Sequence, residues 1–185
     1  MRPWLNALLA AATLAYPALV YVGLGRWNPL WMALLLCTLP LARAWSDRNP
    51  MWLVAAAGAV LLGGAASLQG SWLPLKLYPV LVSAVLLAVF AASLKFPPTV
   101  IERIARLREP ELPAHGVVYT RKVTVAWCLF FVANGTVSAA TAVWGSDRLW
   151  LLYNGLLAYV LIGVFFALEW MIRQRVRPRA APSHD

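Results

Sequence analysis

Charge is scarce in this chain. Only 12% of its 185 residues are Asp, Glu, Lys or Arg, against about a quarter in soluble domains. Seven are acidic, and there are two histidines, so there is little from which to build general acid–base chemistry. No paired carboxylates, Ser/His/Asp set, HExxH, P-loop or dinucleotide glycine pattern occurs. The expectation is a protein that is not an enzyme and takes no cofactor. Cysteine is as rare: Cys37 and Cys128 lie far apart inside apolar blocks, and neither belongs to a CxxC pair. Structural zinc and dithiol redox chemistry therefore have no support, and both thiols read as small apolar side chains. His115 has no His, Cys or acidic cluster at ligand spacing, which argues against a metal site.

Apolar residues make up 62% of the chain, with 10 tryptophans and a mean hydropathy of +0.69. They fall in long blocks, which excludes both an ordinary water-soluble globule and a disordered chain. A helix needs about 20 apolar residues to cross a bilayer. Six blocks qualify: Trp4 to Leu24, Pro29 to Ala42, Met51 to Leu68, Leu77 to Leu94, Val123 to Trp144 and Leu149 to Ile172. The second is short and carries Pro40, so it either crosses or makes a half-span. The expected fold is all-α, a polytopic transmembrane helical bundle in a single integral membrane domain over 1–185. It has six spans, or five if the second block is a half-span. The first block exceeds the usual 7–15-residue core of a signal peptide and no clear A-x-A site ends it, so an uncleaved span is expected.

The net charge of +9 could suggest nucleic acid, but no polar face long enough to bind it exists. The basic residues lie between and beyond the apolar blocks. With six spans, all of the 16 Lys and Arg except Arg26, Lys76 and Arg148 fall on one side. Basic residues mark the cytoplasmic side, so both termini, the long loop 95–122 and the basic tail 173–185 are expected there.

Within that loop, Thr99 followed by Glu102 is a capping-box pattern. It opens a short amphipathic helix over 100–109, with Ile101, Ile104, Ala105 and Arg108 on one stripe and Glu102, Arg103 and Arg106 projecting elsewhere. Two uses compete. The helix either lies in the headgroup layer with its arginines on anionic lipid, or it docks a cytoplasmic partner. Ile101, Arg103, Ile104, Arg106 and Arg108 are the candidate contacts, together with Trp150 and Tyr153 at the opposite end. The two aromatics also fit an interface belt.

Inside the spans, Ala55, Ala59, Gly63 and Ser67 form a ladder of small residues, and Gly135 and Ala139 repeat the spacing. Such faces let helices approach closely, within one subunit more often than between copies in a homo-oligomer. Asn134 is the most interior strongly polar side chain, with Asn154 nearer one end. Each reads as an interhelical hydrogen bond or as a polar point in a ligand pocket, and their depths make a direct mutual contact unexpected. Glu169 stands four residues before Arg173, the favoured direction for a helical ion pair. A snorkelling pair is expected there rather than a proton relay.

Lys76, Pro98 with the basic stretch after it, Leu112-Pro113, Trp127-Cys128-Leu129-Phe130-Phe131, Gly135 and Trp150-Leu151-Leu152-Tyr153 occur in order over roughly the last two thirds of the chain. This pattern resembles the bacterial intracellular septation protein A family, and Leu14-Ala15-Tyr16-Pro17 extends the likeness toward the N-terminus. The resemblance implies a small multi-pass inner-membrane protein of cell-envelope biogenesis. It would act as a scaffold or accessory subunit in contact with division and wall-elongation proteins, with no catalytic residues. Asn154 stands where a Lys is usual in that family, and the Arg-rich tail and the Ala/Trp-rich N-terminal half depart from it as well. These departures imply a sister group, and an alternative role as a small transporter or lipid-handling protein accessory to lipid or polyene pigment synthesis.

Overall fold

A computed structural model describes residues 71–176 without interruption, together with 15–23, 60–65 and positions 38, 57, 58 and 68. The described elements are all helices, with no strand among the described residues. Three helices are long and apolar enough to cross a membrane: Tyr78–Lys95, Ala114–Val143 and Asp147–Gln174. They correspond to the fourth, fifth and sixth expected spans. Residues 15–23 and 60–65 are helical within the first and third blocks. The second block, apart from position 38, lies outside the described residues.

A single turn, α1 (Leu73–Lys76), leads into α2 (Tyr78–Lys95), which carries Pro79 in its first turn. Proline fits there because the first amides have no intrahelical acceptor to bond. Pro97 and Pro98 then stop the chain, and Thr99 caps α3 (Val100–Arg106). The capping box forms as the spacing predicts. Glu102 N–H donates to Thr99 Oγ1 at 3.3 Å, and Thr99 N–H donates to Glu102 Oε2 at 3.4 Å. Pro113 caps α4 (Ala114–Val143), whose 30 residues span about 45 Å. The helix thus begins well before Val123, and the loop is shorter than expected. Hydropathy marks only the part of a helix that hydrocarbon covers. Residues 114–122 continue it in polar sequence, with Tyr119 and Thr120 packed inward.

A three-residue turn returns the chain. Gly145 N–H reaches back to Thr141 O at 3.1 Å, and a Cβ at 145 would stand 2.5 Å from that oxygen, so the turn excludes any side chain there. Ser146 then caps α5 (Asp147–Leu152), accepting from Leu149 N–H, with Asp147 in the first turn where the helix dipole favours an acid. A π-helical segment (Tyr153–Leu157) joins α5 to α6 (Ala158–Val176), so the last span runs on with one local irregularity.

The helices meet in two apolar clusters. In the half nearer the long loop, Trp127 packs at a tilt against Phe165 and Phe166 at centroid distances of 4.5 and 4.7 Å, and Phe90 meets Phe131 edge-on at 5.2 Å. Ile101 is buried in this cluster. In the half nearer the turn, Tyr16, Val20, Leu75, Tyr78, Ala142 and Trp150 pack together.

The position of α3 corrects its expected stripe. Ile101 is buried, but Ile104 is exposed, and Glu102, expected to project away, is buried instead. The reason is local pairing. Glu102 caps the helix with one oxygen and with the other accepts from Arg106 Nη2 at 2.8 Å, while Arg106 Nη1 donates to Pro110 O at 3.0 Å. Arg106 thus braces the loop. Glu102→Ala removes the return cap and strands Arg106, with an expected local cost of about 1–2 kcal/mol. Hydrogen exchange at amides 100–106 should quicken in that variant while α4 stays protected, and unchanged exchange would refute this role.

Candidate functional site

The most polar interior of the described residues is built where α2, α4 and the π segment meet. Asn134 comes from the middle of α4, Ser83 from α2 and Tyr153 from the π segment. Tyr153 O–H donates to Asn134 Oδ1 at 3.1 Å, and Asn134 Nδ2 donates to Ser83 Oγ at 3.0 Å. Gly135, next along α4, allows this approach, since a Cβ there would lie 3.2 Å from Ser83 Cβ. Its small size therefore serves contact within the subunit. The ladder residues Ala55, Ala59 and Ser67 lie outside the described residues, while Gly63 is described and buried. Ala139 is half-buried on α4.

Asn154 makes a second network closer to the turn. Its Oδ1 accepts from Ser138 Oγ at 2.7 Å, and its Nδ2 donates to Thr141 Oγ1 at 3.3 Å and Trp150 O at 3.0 Å. The last bond reaches one turn back along the same helix, to the carbonyl of Trp150. The two asparagines bond different partners but line one cleft. With Ser83 they face Tyr16, Tyr78, Phe130, Phe131 and Tyr159 across a space of about 140 Å³. Asn134 thus ties helices together and also borders a cavity. Apolar and aromatic walls with a few convergent polar atoms are the usual make-up of a small-molecule site.

The turn end is locked by contacts that sequence reading missed. Lys76 pairs with Asp147, Trp150 Nε1 donates to Lys76 O at 3.1 Å, and Tyr16 O–H donates to Leu75 O at 2.9 Å. Trp150 is completely buried. This corrects its reading as an outer contact: the indole plugs the space between α1 and α5. Tyr153 is likewise committed inward, to Asn134. A basic and an acidic residue at 76 and 147, each beside an apolar block, were the one available signal for the ion pair.

At the loop end, Glu169 accepts from Arg173 at 2.7 Å, the expected i,i+4 pair, and Tyr119 O–H donates to Glu169 Oε1 at 3.4 Å. A smaller cleft of about 120 Å³ lies beside them, bordered by Arg108, Glu109, Tyr119, Trp170 and Arg173. Of the expected contact residues, Arg103, Ile104 and Arg108 are exposed. Arg103 Nε donates to Pro98 O at 3.0 Å. Ile101 is buried, and Arg106, though partly exposed, is engaged with Glu102.

Among the described residues no group of three His, Cys, Asp or Glu could hold a metal, and Cys128 is a free thiol. Cys37 lies outside the described residues. The arrangement is suited to binding: an apolar trough with hydrogen-bonding groups at its floor. No family model, no curated protein and no solved structure matches the chain.

Proposed function

We propose that this is a non-catalytic multi-pass protein of the bacterial inner membrane that holds a hydrophobic ligand between its helices, as an accessory subunit of envelope biogenesis. One observation carries the reading: the cleft that reaches Asn134. A bundle serving only as scaffold has no need of such a space, whereas a lipid-handling protein requires it. Both termini and the α3 loop are placed in the cytoplasm on the distribution of basic residues. The likeness to the septation protein A family supplies the envelope context, and synthesis of a lipid or polyene pigment is the class of pathway such a subunit would serve.

The full chain purified in mild detergent should retain a lipid or other hydrophobe, detectable by mass spectrometry after extraction. Val82→Trp, which fills the half-buried rim of the cleft, should abolish retention while helicity stays unchanged. Wild-type protein free of any retained hydrophobe would overturn the reading.

A scaffold role is the second reading, favoured by the exposed Arg103, Ile104 and Arg108 beside the α3 brace. It expects an envelope partner that co-purifies with wild type and is lost in the Arg103→Ala/Arg108→Ala variant. Partners identical in both would dismiss it.

A further inference from the structure

We infer that the cleft recognises a carbonyl oxygen on a flat, neutral hydrophobe, of the class to which membrane quinones belong. The inference rests on the ligand-holding role proposed above and specifies its chemistry. Three side chains make a directional relay: Tyr153 O–H donates to Asn134, and Asn134 donates to Ser83. Ser83 Oγ is thereby an acceptor, and its own proton has no acceptor among the described residues. Ser83 is 4% exposed and borders the cleft. A buried hydroxyl donor left unmatched costs free energy, and donors in series strengthen the last one in the chain. The floor of the cleft therefore calls for an acceptor. A ligand presenting only donors there, such as an ammonium, would gain less, and a charged group would pay the cost of leaving water.

Depth narrows the ligand further. Asn134 lies about 15 Å along α4 from Trp144, half the roughly 30 Å of a hydrocarbon core. The ester carbonyls of a glycerolipid sit at the border of that core. Bringing one to Ser83 would drag its headgroup into hydrocarbon. A ring whose only polar atoms are carbonyl oxygens carries no such burden. The walls suit a ring as well. Tyr16, Tyr78, Phe130, Phe131 and Tyr159 surround the cleft, and aromatic faces favour offset or edge-on contact with a planar partner. Its volume of about 140 Å³ is close to the roughly 150 Å³ apolar cavity known to hold a benzene ring.

The test compares decylubiquinone with decylbenzene, which has a similar tail and ring but no carbonyl, by calorimetric titration of the full chain in detergent micelles. Decylubiquinone should bind more tightly. Ser83→Ala should weaken it about fivefold or more while leaving decylbenzene unchanged. Ser83→Cys, which keeps the side-chain size but donates poorly, should fall alongside Ser83→Ala. Thermal melts would show that each variant is folded, and a variant that failed to fold would leave the other to decide. Decylubiquinone binding no more tightly than decylbenzene, or equally well to wild type and both variants, overturns carbonyl recognition while the ligand-holding role stands. Failure of both probes, together with no retained lipid, overturns the two together.

Discussion

Trp150→Ala should lower the stability of the bundle by roughly 3 kcal/mol. The indole is completely buried, with Tyr16, Leu75, Tyr78 and Ala142 in its cluster, and its Nε1 donates to Lys76 O. Hydrocarbon solvates apolar side chains, so part of the water-transfer contribution seen in soluble cores is missing here. The cavity and the lost dispersion contacts remain, and a carbonyl loses its partner. Trp170→Ala is the matched control. That indole is 60% exposed, and its removal should change stability by less than about 0.5 kcal/mol. Equilibrium unfolding in mixed micelles would separate the two. Equal melting of Trp150→Ala and Trp170→Ala would show that the turn end is not locked as described. Trp150→Phe separates packing from hydrogen bonding. It keeps most of the ring volume and should recover more than half of the loss.

Trp150 also shows where sequence reading stops. An aromatic residue near the end of an apolar block fits a membrane-interface belt and a buried plug equally well, because both need an amphipathic ring at that depth. The decision lies with Lys76, distant along the chain, whose carbonyl the indole meets. Hydropathy located α2 and the apolar part of α4 because it senses lengths of oil-soluble sequence. It was silent on residues 114–122, where the helix continues in polar sequence. The capping box of Thr99 and Glu102 was legible because both partners lie within one turn. The burial of Glu102 was not, since it depends on Arg106 and Pro110 closing over it. The π segment left no mark that a 3.6-residue period would reveal. Asn134 was found by the simplest rule, that a strongly polar group in the middle of a span needs a reason. Ser83, its partner, escaped notice because a serine in an apolar helix is common and can bond its own backbone.

Gly135→Leu should be the other severe substitution, costing about 3 kcal/mol. The nearest atom to a Cβ at 135 is Ser83 Cβ, at 3.2 Å. A single methyl group already presses α2 there, and a leucine adds branched carbons where the neighbouring helix stands. The two helices must part, and the 3.0 Å bond from Asn134 to Ser83 parts with them. Effects should therefore rise in the order Ala, Val, Leu, with Gly135→Ala nearly tolerated because α2 need yield by only a few tenths of an ångström. Gly163→Leu on α6 is the control, since nothing lies within 4 Å of a Cβ at that position. It places a leucine in a span without loss of packing, and its melting temperature should match wild type. The same series reads the cleft. As α2 withdraws, Ser83 leaves Asn134, and ligand retention should fall in step with stability across the three substitutions. A Gly135→Leu protein as stable as wild type would mean that α2 and α4 do not meet at this point, and the polar floor assembled from them would have no basis.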